Sequence, residues 1–358
     1  MRFHYDISYR DSHALVRYLP GRIAYAVLAI ALLAAPFVLG KYYVGELTYL
    51  FILCIASLGL MVLTGYTGQV SLGHSAFLAI GAYTHAWMLA HGVPFGWSIL
   101  IAAAMSGAIG LVIGLPAIRV SGLYLAMVTL AFAILVEQVL GRWKSVTGGF
   151  SGMAVNSPSI FGYDLSGLRP FYYLCLVLLV ILLLGLVNLM RSQVGRAFVG
   201  VRDSEAAAYS LGIWVGGYKV LAFVVSAAVT GVAGGLFAHH VQFLTPEGFN
   251  LLLSLELVLM VTIGGLGSLR GAVMGALLIG LLPTLISQIK PMLPDQLAKQ
   301  SGLDIFVFGL VLALFVLFEP KGLNGRWLKI KAFLQSFPLY RRDTFRRGKT
   351  YMKSERYR

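Results

Sequence analysis

Charged residues and cysteines are scarce in this sequence. Only 12% of the 358 residues are Asp, Glu, Lys or Arg, whereas a soluble domain has about 25%. The two cysteines, Cys54 and Cys175, lie in apolar runs, and the sequence has no acceptor sequon for N-glycosylation. These scarcities argue against a soluble globular protein and against an ectodomain built on disulfides.

Catalytic motifs are also absent. The sequence contains no HExxH, GxSxG or CxxC motif, and RRGKT near the C-terminus lacks the upstream glycine of a phosphate-binding loop. No two histidines have the i, i+4 spacing of a helical metal site, and we interpret them as residues that hydrogen-bond helices together. We therefore predict that the chain is not an enzyme, holds no metal or other cofactor and does not hydrolyse ATP by itself.

Long apolar runs dominate what is present. Hydrophobic residues make up 58% of the chain, and the mean hydropathy is +0.82. The run FYYLCLVLLVILLLGLVNLM (171–190) is long enough to cross a bilayer, which takes about 20 residues. The predicted fold class is all-α, a polytopic membrane bundle of about ten transmembrane helices. Its predicted spans are 23–39, 46–64, 70–90, 96–118, 121–140, 171–190, 219–241, 252–266, 271–289 and 303–318.

The basic residues predict the orientation of these spans. With a cytoplasmic N-terminus, 22 lysines and arginines fall on the inner side and 6 on the outer side, as the positive-inside rule requires. We predict a cytoplasmic arm (1–22), a transmembrane domain (23–318) and a cytoplasmic tail (319–358) that carries 12 basic and 3 acidic residues. The net charge of +14 is thus explained by membrane orientation without a nucleic-acid partner.

Two glycine-rich stretches interrupt the apolar pattern. They are TGYTGQVSLGHSAFLAIGAY (64–83) and VTIGGLGSLRGAVMGALLIG (261–280), and GQVSL in the first matches GLGSL in the second at three positions. Glycine permits unwound turns, which are tolerated at membrane depth where protein or a watery cavity satisfies the backbone. A pair of broken helices in two halves of a chain indicates an internal repeat and a transporter's pathway.

Polar residues near these interruptions are candidates for the substrate pathway. A zwitterionic substrate can be received by helix ends and polar side chains, and we predict that Gln69, Ser71, His74 and Ser254 line the pathway. The intramembrane carboxylates Glu137 and Glu256 either face the pathway or bond helices to each other, and the sequence leaves both alternatives open.

A short polar segment, RDSEAAAYSLG (202–212), lies in the middle of the chain. Asp203 and Ser204 are N-cap candidates, and Gly212 is positioned as a C-cap. So short a helix is unstable unless it packs against something. Its small, polar exposed face favours docking into a groove of another protein over insertion into lipid. The alternative is an ordinary connection with one helical turn.

Several blocks of the sequence carry a family resemblance. The order Glu205, Ala207, Ala208, Gly212 resembles the Glu-Ala-Ala-x-x-x-Gly loop of membrane subunits of ATP-binding-cassette importers. The blocks GYTGQVSLGHSAFLAIGAY, GLYLAMVTLAFA, TGGFSGM, GRAFVGVRDSEAAAYSLGI, KVLAFVVSAAVTGVAGGLFA, TIGGLGSLRGAVMGALLI and LFEPKGL follow one another over residues 46–322. Together they resemble the M-type permease subunits of branched-chain amino-acid uptake systems.

This resemblance implies a division of labour within a bacterial inner-membrane importer. An H-type permease subunit would complete the channel, two cytoplasmic ATP-binding subunits would grip the coupling loop (191–218), and a periplasmic protein would deliver the substrate. The residues implied to form or flank the coupling element are Gly195, Arg196, Arg202, Asp203, Glu205, Ala207, Ala208 and Gly212. Relatives in the same family are associated with urea, short amides and aromatic acids, so a branched-chain amino acid is one of several substrates implied.

Two alternatives and one departure accompany this interpretation. The chain could instead be an ion-coupled secondary carrier that depends on Glu137 or Glu256, or a membrane enzyme, although neither buried ion pairs nor catalytic motifs are evident. The tail beyond Lys321 is longer and more basic than the family pattern. Its charges suit either contact with anionic lipid or a plain orientation signal.

Overall fold

A computed structural model describes residues 19–160, 163–164, 167–289, 309–310, 313–314, 317 and 322–336. The helices are α1 (Leu19–Val38), α2 (Lys41–Leu60, continued by a π-helical turn, Met61–Tyr66), α3 (His74–Ala90), α4 (Phe95–Gly114), α5 (Leu123–Arg142), α6 (Lys144–Thr147), α7 (Leu168–Arg191), α8 (Gln193–Asp203), α9 (Glu205–Ser210), α10 (Val215–Val241), α11 (Leu251–Gly264), α12 (Leu269–Ile289) and α13 (Gly322–Ser336). Short 3-10 turns lie at Pro116–Ile118, Gly149–Ser151 and Pro246–Phe249. Four two-residue strands are β1 (Met153–Ala154), β2 (Ser159–Ile160), β3 (Tyr163–Asp164) and β4 (Phe243–Leu244).

The helical membrane architecture predicted from the sequence is confirmed. Nine of the ten predicted spans coincide with α1–α5, α7 and α10–α12. In the part of the chain that the structure describes, seven helices are long and apolar enough to cross a membrane. The predicted tenth span (303–318) lies largely outside the described residues, as do most of the N-terminal arm and much of the basic tail.

Helices α2 and α10 form the centre of the bundle. In the most apolar 18-residue stretch of each helix, 83% of the residues of α2 and 67% of those of α10 are buried, against 22% in α7. Helix α7 therefore presents most of its surface outward. Helix α10 packs against α2, α3 and α4. Helix α7 packs on the outer side of α2 and holds α1, because the hydroxyls of Tyr172 and Tyr173 donate to the carbonyls of Leu32 and Leu33 at 2.8 Å.

Close backbone contact explains why the central helices contain so much glycine. A Cβ at Gly81 of α3 would run into the carbonyl of Gly231 on α10. A Cβ at Gly231 would in turn lie 2.5 Å from Oγ of Ser106 on α4. Helices in lipid associate through such tight packing of small residues, because the lipid removes most of the hydrophobic drive between them. These glycines, which interrupt the apolar pattern of the sequence, therefore allow α3, α4 and α10 to pack closely against one another.

The two predicted interruptions fall at junctions between consecutive helices, with the spans on either side remaining helical. The first junction is the non-helical stretch 68–73 between the π-helical end of α2 and the start of α3. The second is 265–268, between α11 and α12, where Gly265 and Gly267 have φ of 108° and 81°. Positive φ is strained for side-chain-bearing residues, which accounts for glycine at these points.

The long connection between α5 and α7 is partly ordered by its own contacts. Thr147 at the end of α6 donates its hydroxyl to the carbonyl of Leu140 at 2.6 Å, and the strand β1 pairs antiparallel with β4, Met153 opposite Leu244. The connection is therefore tied to the turn that follows α10.

Candidate functional site

The coupling segment consists of two helices joined at one extended residue. Helix α8 is capped by Ser192, whose Oγ accepts from the amide of Val194. The helix stops at Asp203 because Ser204 adopts an extended conformation (φ −164°, ψ 114°), and the Ser204 Oγ accepts from the amide of Ala207 at 3.2 Å to cap α9. Of the two predicted N-cap candidates, Ser204 is the one that caps α9.

The C-terminus of α9 also ends as its sequence predicts. Gly212 has φ of 80° and donates its amide to Tyr209, while the amide of Ile213 donates to the carbonyl of Ala208 at 3.0 Å. These are the paired bonds of a helix that ends on a left-handed glycine. The segment thus has a defined shape although α9 is only six residues long.

The expectation of a small, polar exposed face was wrong. Tyr209, Leu211 and Trp214 are 78%, 80% and 77% exposed, whereas Ala208 is the buried residue of α9. Phe198 is fully buried in α8 and anchors that helix to the bundle. Tyrosine and tryptophan are among the residues that dominate the binding energy of protein interfaces, which favours Tyr209 and Trp214 as contact residues.

The predicted flanking residues divide between packing and surface positions. Gly195 is buried, and a Cβ on it would run into the backbone of Met190. Arg196 is exposed and donates to the carbonyl of Arg191 at 3.1 Å. Asp203 accepts two hydrogen bonds from Arg202, at 3.0 and 3.1 Å, near the surface.

Two basic residues tie this segment to the bundle. Arg202 Nη1 donates to the carbonyl of Gly65 at the π-helical end of α2, at 3.0 Å. Lys219, in the second turn of α10, has its Nζ 2.7 Å from Oε2 of Glu205, and the lysine side chain is only 4% exposed. Lys219 was not among the predicted site residues. A lysine at the very start of the predicted span 219–241 was the available signal, since a buried lysine needs a partner.

The predicted pathway residues Ser71 and His74 are fully buried in a hydrogen-bonded chain. Ser226 of α10 donates to the carbonyl of Gly59 at 2.7 Å, so its oxygen can only accept from His74 Nε2, 2.7 Å away. The other ring nitrogen of His74, Nδ1, lies 3.0 Å from the Ser71 hydroxyl and accepts from it when the ring is neutral. This chain requires a proton on Nε2 and fastens the first junction to α2 and α10.

Gln69 and Ser254 bond other parts of the same region. Gln69 Nε2 donates to Oγ1 of Thr67 at 3.0 Å and to the carbonyl of Lys219 at 3.3 Å. Ser254 of α11 donates to the Ser75 hydroxyl at 2.7 Å and accepts from the Ser75 amide. In this single chain both side chains are buried between helices, and their contact with substrate stays a prediction.

The two predicted carboxylates occupy different surroundings. Glu137 is half-buried on α5. Glu256 of α11 lines a cavity of about 480 Å³ together with Glu46 and His240, between α2, α10, α11 and α12. Glu46 accepts a hydrogen bond from Thr284 at 3.0 Å. Because 19 residues of helix separate Glu46 from Gly65, the Glu46 side of this cavity lies about 28 Å from the carbonyl that Arg202 contacts.

Two histidines that sequence spacing could not pair form a bond between α3 and α10. The Nε2 atoms of His85 and His239 are 2.8 Å apart, and both rings lie against Phe95. This agrees with the expectation that histidines bond helices together. The residues are 154 positions apart, so only the packing of α3 on α10 brings them into contact.

Comparison with known proteins places these features in a family. Residues 42–317, most of the chain, match the sequence pattern of one protein family. That family is described as the permease component of the branched-chain amino acid transport system. The high-affinity branched-chain amino acid transport system permease protein LivM of Escherichia coli (strain K12) is 33% identical over 84% of this chain and 73% of its own length.

Permeases of the other type are also similar to this chain. The corresponding permease protein LivH of the same organism is 25% identical over 76% of this chain and 91% of its own length. The probable branched-chain amino acid transport permease protein LivH of Methanocaldococcus jannaschii is 24% identical over 82% and 95%. No solved structure matches significantly. With its seven candidate spans, the chain is a multi-pass membrane protein that belongs to the permease components of branched-chain amino acid transport systems.

Proposed function

We propose that this chain is the M-type permease subunit of an ATP-driven importer for branched-chain amino acids, in a bacterial inner membrane. An H-type subunit would complete the channel, and a periplasmic binding protein would deliver the substrate. The observation that carries the proposal is the capped, exposed helix α9, held to a bundle of spanning helices by Glu205 and Arg202. The higher identity to LivM than to LivH supports the M-type assignment.

The shape of the segment supports this division of labour. Tyr209, Leu211 and Trp214 would enter a groove on a cytoplasmic ATP-binding subunit, with Ala207 at the contact and Arg196 at its rim. Closure of two such subunits on ATP would push α9, and the spans would rock around the pathway. The chain itself performs no hydrolysis, and both of its termini would lie on the cytoplasmic side, where most of its basic residues fall.

Two groups of polar residues in the bundle would serve the substrate. Glu256, with Glu46 in its cavity, offers carboxylates to the ammonium group of an amino acid. Gln69, Ser71, His74 and Ser254 are proposed to face the pathway when the bundle opens. The branched side chain requires only apolar walls, which the spans supply. Glu137 is kept as a further pathway candidate.

Reconstitution tests the function directly. Proteoliposomes containing the chain, its H-type partner and both ATP-binding subunits are supplied with the binding protein. Uptake of labelled leucine is then measured with ATP either enclosed in the proteoliposomes or added outside them. Uptake that requires ATP and the binding protein supports the proposal. Uptake of leucine by the purified chain alone, driven by an ion gradient, would establish the secondary carrier instead. Competition by urea, acetamide and phenylacetate identifies the substrate class.

A pair of glycines tests the role of α9. Gly212 and Gly92 have nearly the same φ, 80° and 79°, and nothing lies within 4 Å of a Cβ added to either. Alanine therefore introduces the same backbone strain, about 1 kcal/mol, at both positions. We expect Gly212→Ala to reduce ATP-driven uptake strongly and Gly92→Ala to leave it near wild type. Equal effects of the two substitutions would contradict docking at α9.

A further inference from the structure

The two helix junctions meet at a single side chain. Arg202 Nη1 donates to the carbonyl of Gly65, next to the first junction. A Cβ added to Gly267, in the second junction, would lie 2.7 Å from the same Nη1 atom. A Cβ added to Gly68 would lie 3.1 Å from the Cγ of Arg202. The arginine thus occupies the space that the missing side chains of both junctions leave open.

The arginine side chain is also held within the coupling segment from which it projects. Its Nε and Nη2 donate to one oxygen of Asp203, the last residue of α8, and Ser204 then begins the cap of α9. A guanidinium is planar and rigid, so its contacts on opposite sides move together. Displacement of the α8–α9 corner would therefore reach Gly65 and Gly267 through the Arg202 side chain, whose guanidinium Asp203 holds in place.

A second connection runs through Lys219. Glu205, the first residue of α9, is about half exposed, whereas its partner Lys219 is almost completely buried at 2.7 Å. The carbonyl of Lys219 in turn accepts from Gln69, within the first junction. Because the ammonium is buried, separating it from the carboxylate that it faces would leave an unpaired buried charge, which is strongly unfavourable. The start of α9 is thereby joined to the start of α10 and to the first junction.

We propose that Arg202 and Lys219 are positioning residues that transmit the movement of α9 to both junctions, and that this transmission opens and closes the substrate pathway. The proposal rests on the proposed importer function and names the contacts through which that function operates. Arg202 would act on both junctions at once, so that α2–α3 and α11–α12 change together. Lys219 would act on the first junction and on α10.

The first experiment compares uptake with ATP hydrolysis in the complete reconstituted importer. Arg202→Gln removes the charge and the forked N–H donors of the guanidinium but keeps a polar side chain. Allosteric couplings are commonly worth five- to 150-fold, and we expect uptake per ATP hydrolysed to fall about tenfold or more while hydrolysis stays within about twofold of wild type. Arg202→Lys, which keeps a charge without the fork, should be intermediate. Arg119→Gln, at an exposed arginine outside this segment, is the control and should keep the wild-type ratio.

A parallel loss of uptake and hydrolysis in Arg202→Gln would overturn the proposal, because it indicates a role in folding or ATPase docking alone. An unchanged ratio would overturn it as well. If Arg202→Gln does not assemble, Gly267→Ala carries the test, since its methyl group displaces the guanidinium and leaves the charge in place. Gly92→Ala has nearly the same φ and open space around it, and controls for strain.

Lys219 is tested by a double-mutant cycle with Glu205. Lys219→Met and Glu205→Gln each break the same connection, so we expect the double variant to be no more uncoupled than either single one. Exchanging the two charges, Glu205→Lys with Lys219→Glu, should restore part of the coupling. A merely structural pair predicts the opposite, that removing both charges restores transport. That result would overturn the role of Lys219.

A conformational readout separates this proposal from the importer function itself. Both native cysteines are buried, so Leu266→Cys, at an exposed position in the second junction, provides an accessible thiol. We expect ATP to change its labelling rate in the wild-type background and to have no effect with Arg202→Gln. A nucleotide response that survives Arg202→Gln overturns the transmission. Wild-type complexes that show no ATP-driven uptake of any ligand tested refute the importer function instead.

Discussion

Packing of the central helices makes a quantitative prediction about one glycine. A Cβ at Gly59 of α2 would lie 2.8 Å from the carbonyl of Ser226 and 2.6 Å from Oγ1 of Thr230, both on α10. Gly185, in the middle of α7, has nothing within 4 Å of an added Cβ. Both are helical, so alanine gains about 0.5–1 kcal/mol of helix propensity at each. At Gly59 the methyl group meets backbone that cannot rotate away, and overpacking costs about 1–3 kcal/mol.

The difference between the two variants therefore isolates the steric contribution. We expect Gly185→Ala to unfold at or slightly above the wild-type temperature and Gly59→Ala a few degrees below Gly185→Ala, since 1 kcal/mol corresponds to about 2–4 °C in a domain of about 150–250 residues and to less in a chain of 358. Thermal unfolding of the purified protein in a mild detergent, followed by tryptophan fluorescence, measures both. Equal unfolding temperatures would refute the close approach of α2 to α10.

Three further outcomes are expected. Ser226→Ala leaves the buried Nε2 proton of His74 without the Ser226 acceptor and should lower the free energy of unfolding by about 1–3 kcal/mol. Ser98→Ala, whose hydroxyl donates to Phe95 in its own helix, should lower it less, and thermal unfolding compares the two variants. Trp214→Ala, at a 77% exposed side chain, should leave unfolding unchanged and weaken binding of the ATP-binding subunits by about tenfold in a pull-down titration. Glu256→Gln should preserve folding and raise the leucine concentration needed for half-maximal uptake.

Local features of the fold were predictable from the sequence, because they depend on neighbouring residues. The apolar runs marked nine helices, and the Ser204 cap and the glycine at 212 bounded α9 where the structure has it. Helix propensity, capping and hydropathy all act over a few residues. The family resemblance rested on the same short blocks and is confirmed.

Contacts between distant parts of the chain were not predictable in this way. The bond between His85 and His239 spans 154 positions, and the contact between Arg202 and Gly65 spans 137. No spacing rule relates such pairs, since they depend on which helix faces pack together. The expectation of a small, polar exposed face failed for the same reason, because the sequence of α9 does not state that Tyr209 faces away from the bundle.

The π-helical turn Met61–Tyr66 sets where α2 can lose a residue. Its hydrogen bonds run from residue i to i+5, so it holds an extra residue relative to an α-helical turn. Loss of one residue here would return the turn to α-helical spacing and leave the preceding part of α2 facing the same neighbours. Loss of one residue within Lys41–Leu60, which is α-helical throughout, would instead rotate the residues before it by about 100° and turn their buried faces away from α10. A single-residue deletion should therefore be better tolerated in the π-helical turn than in the rest of α2.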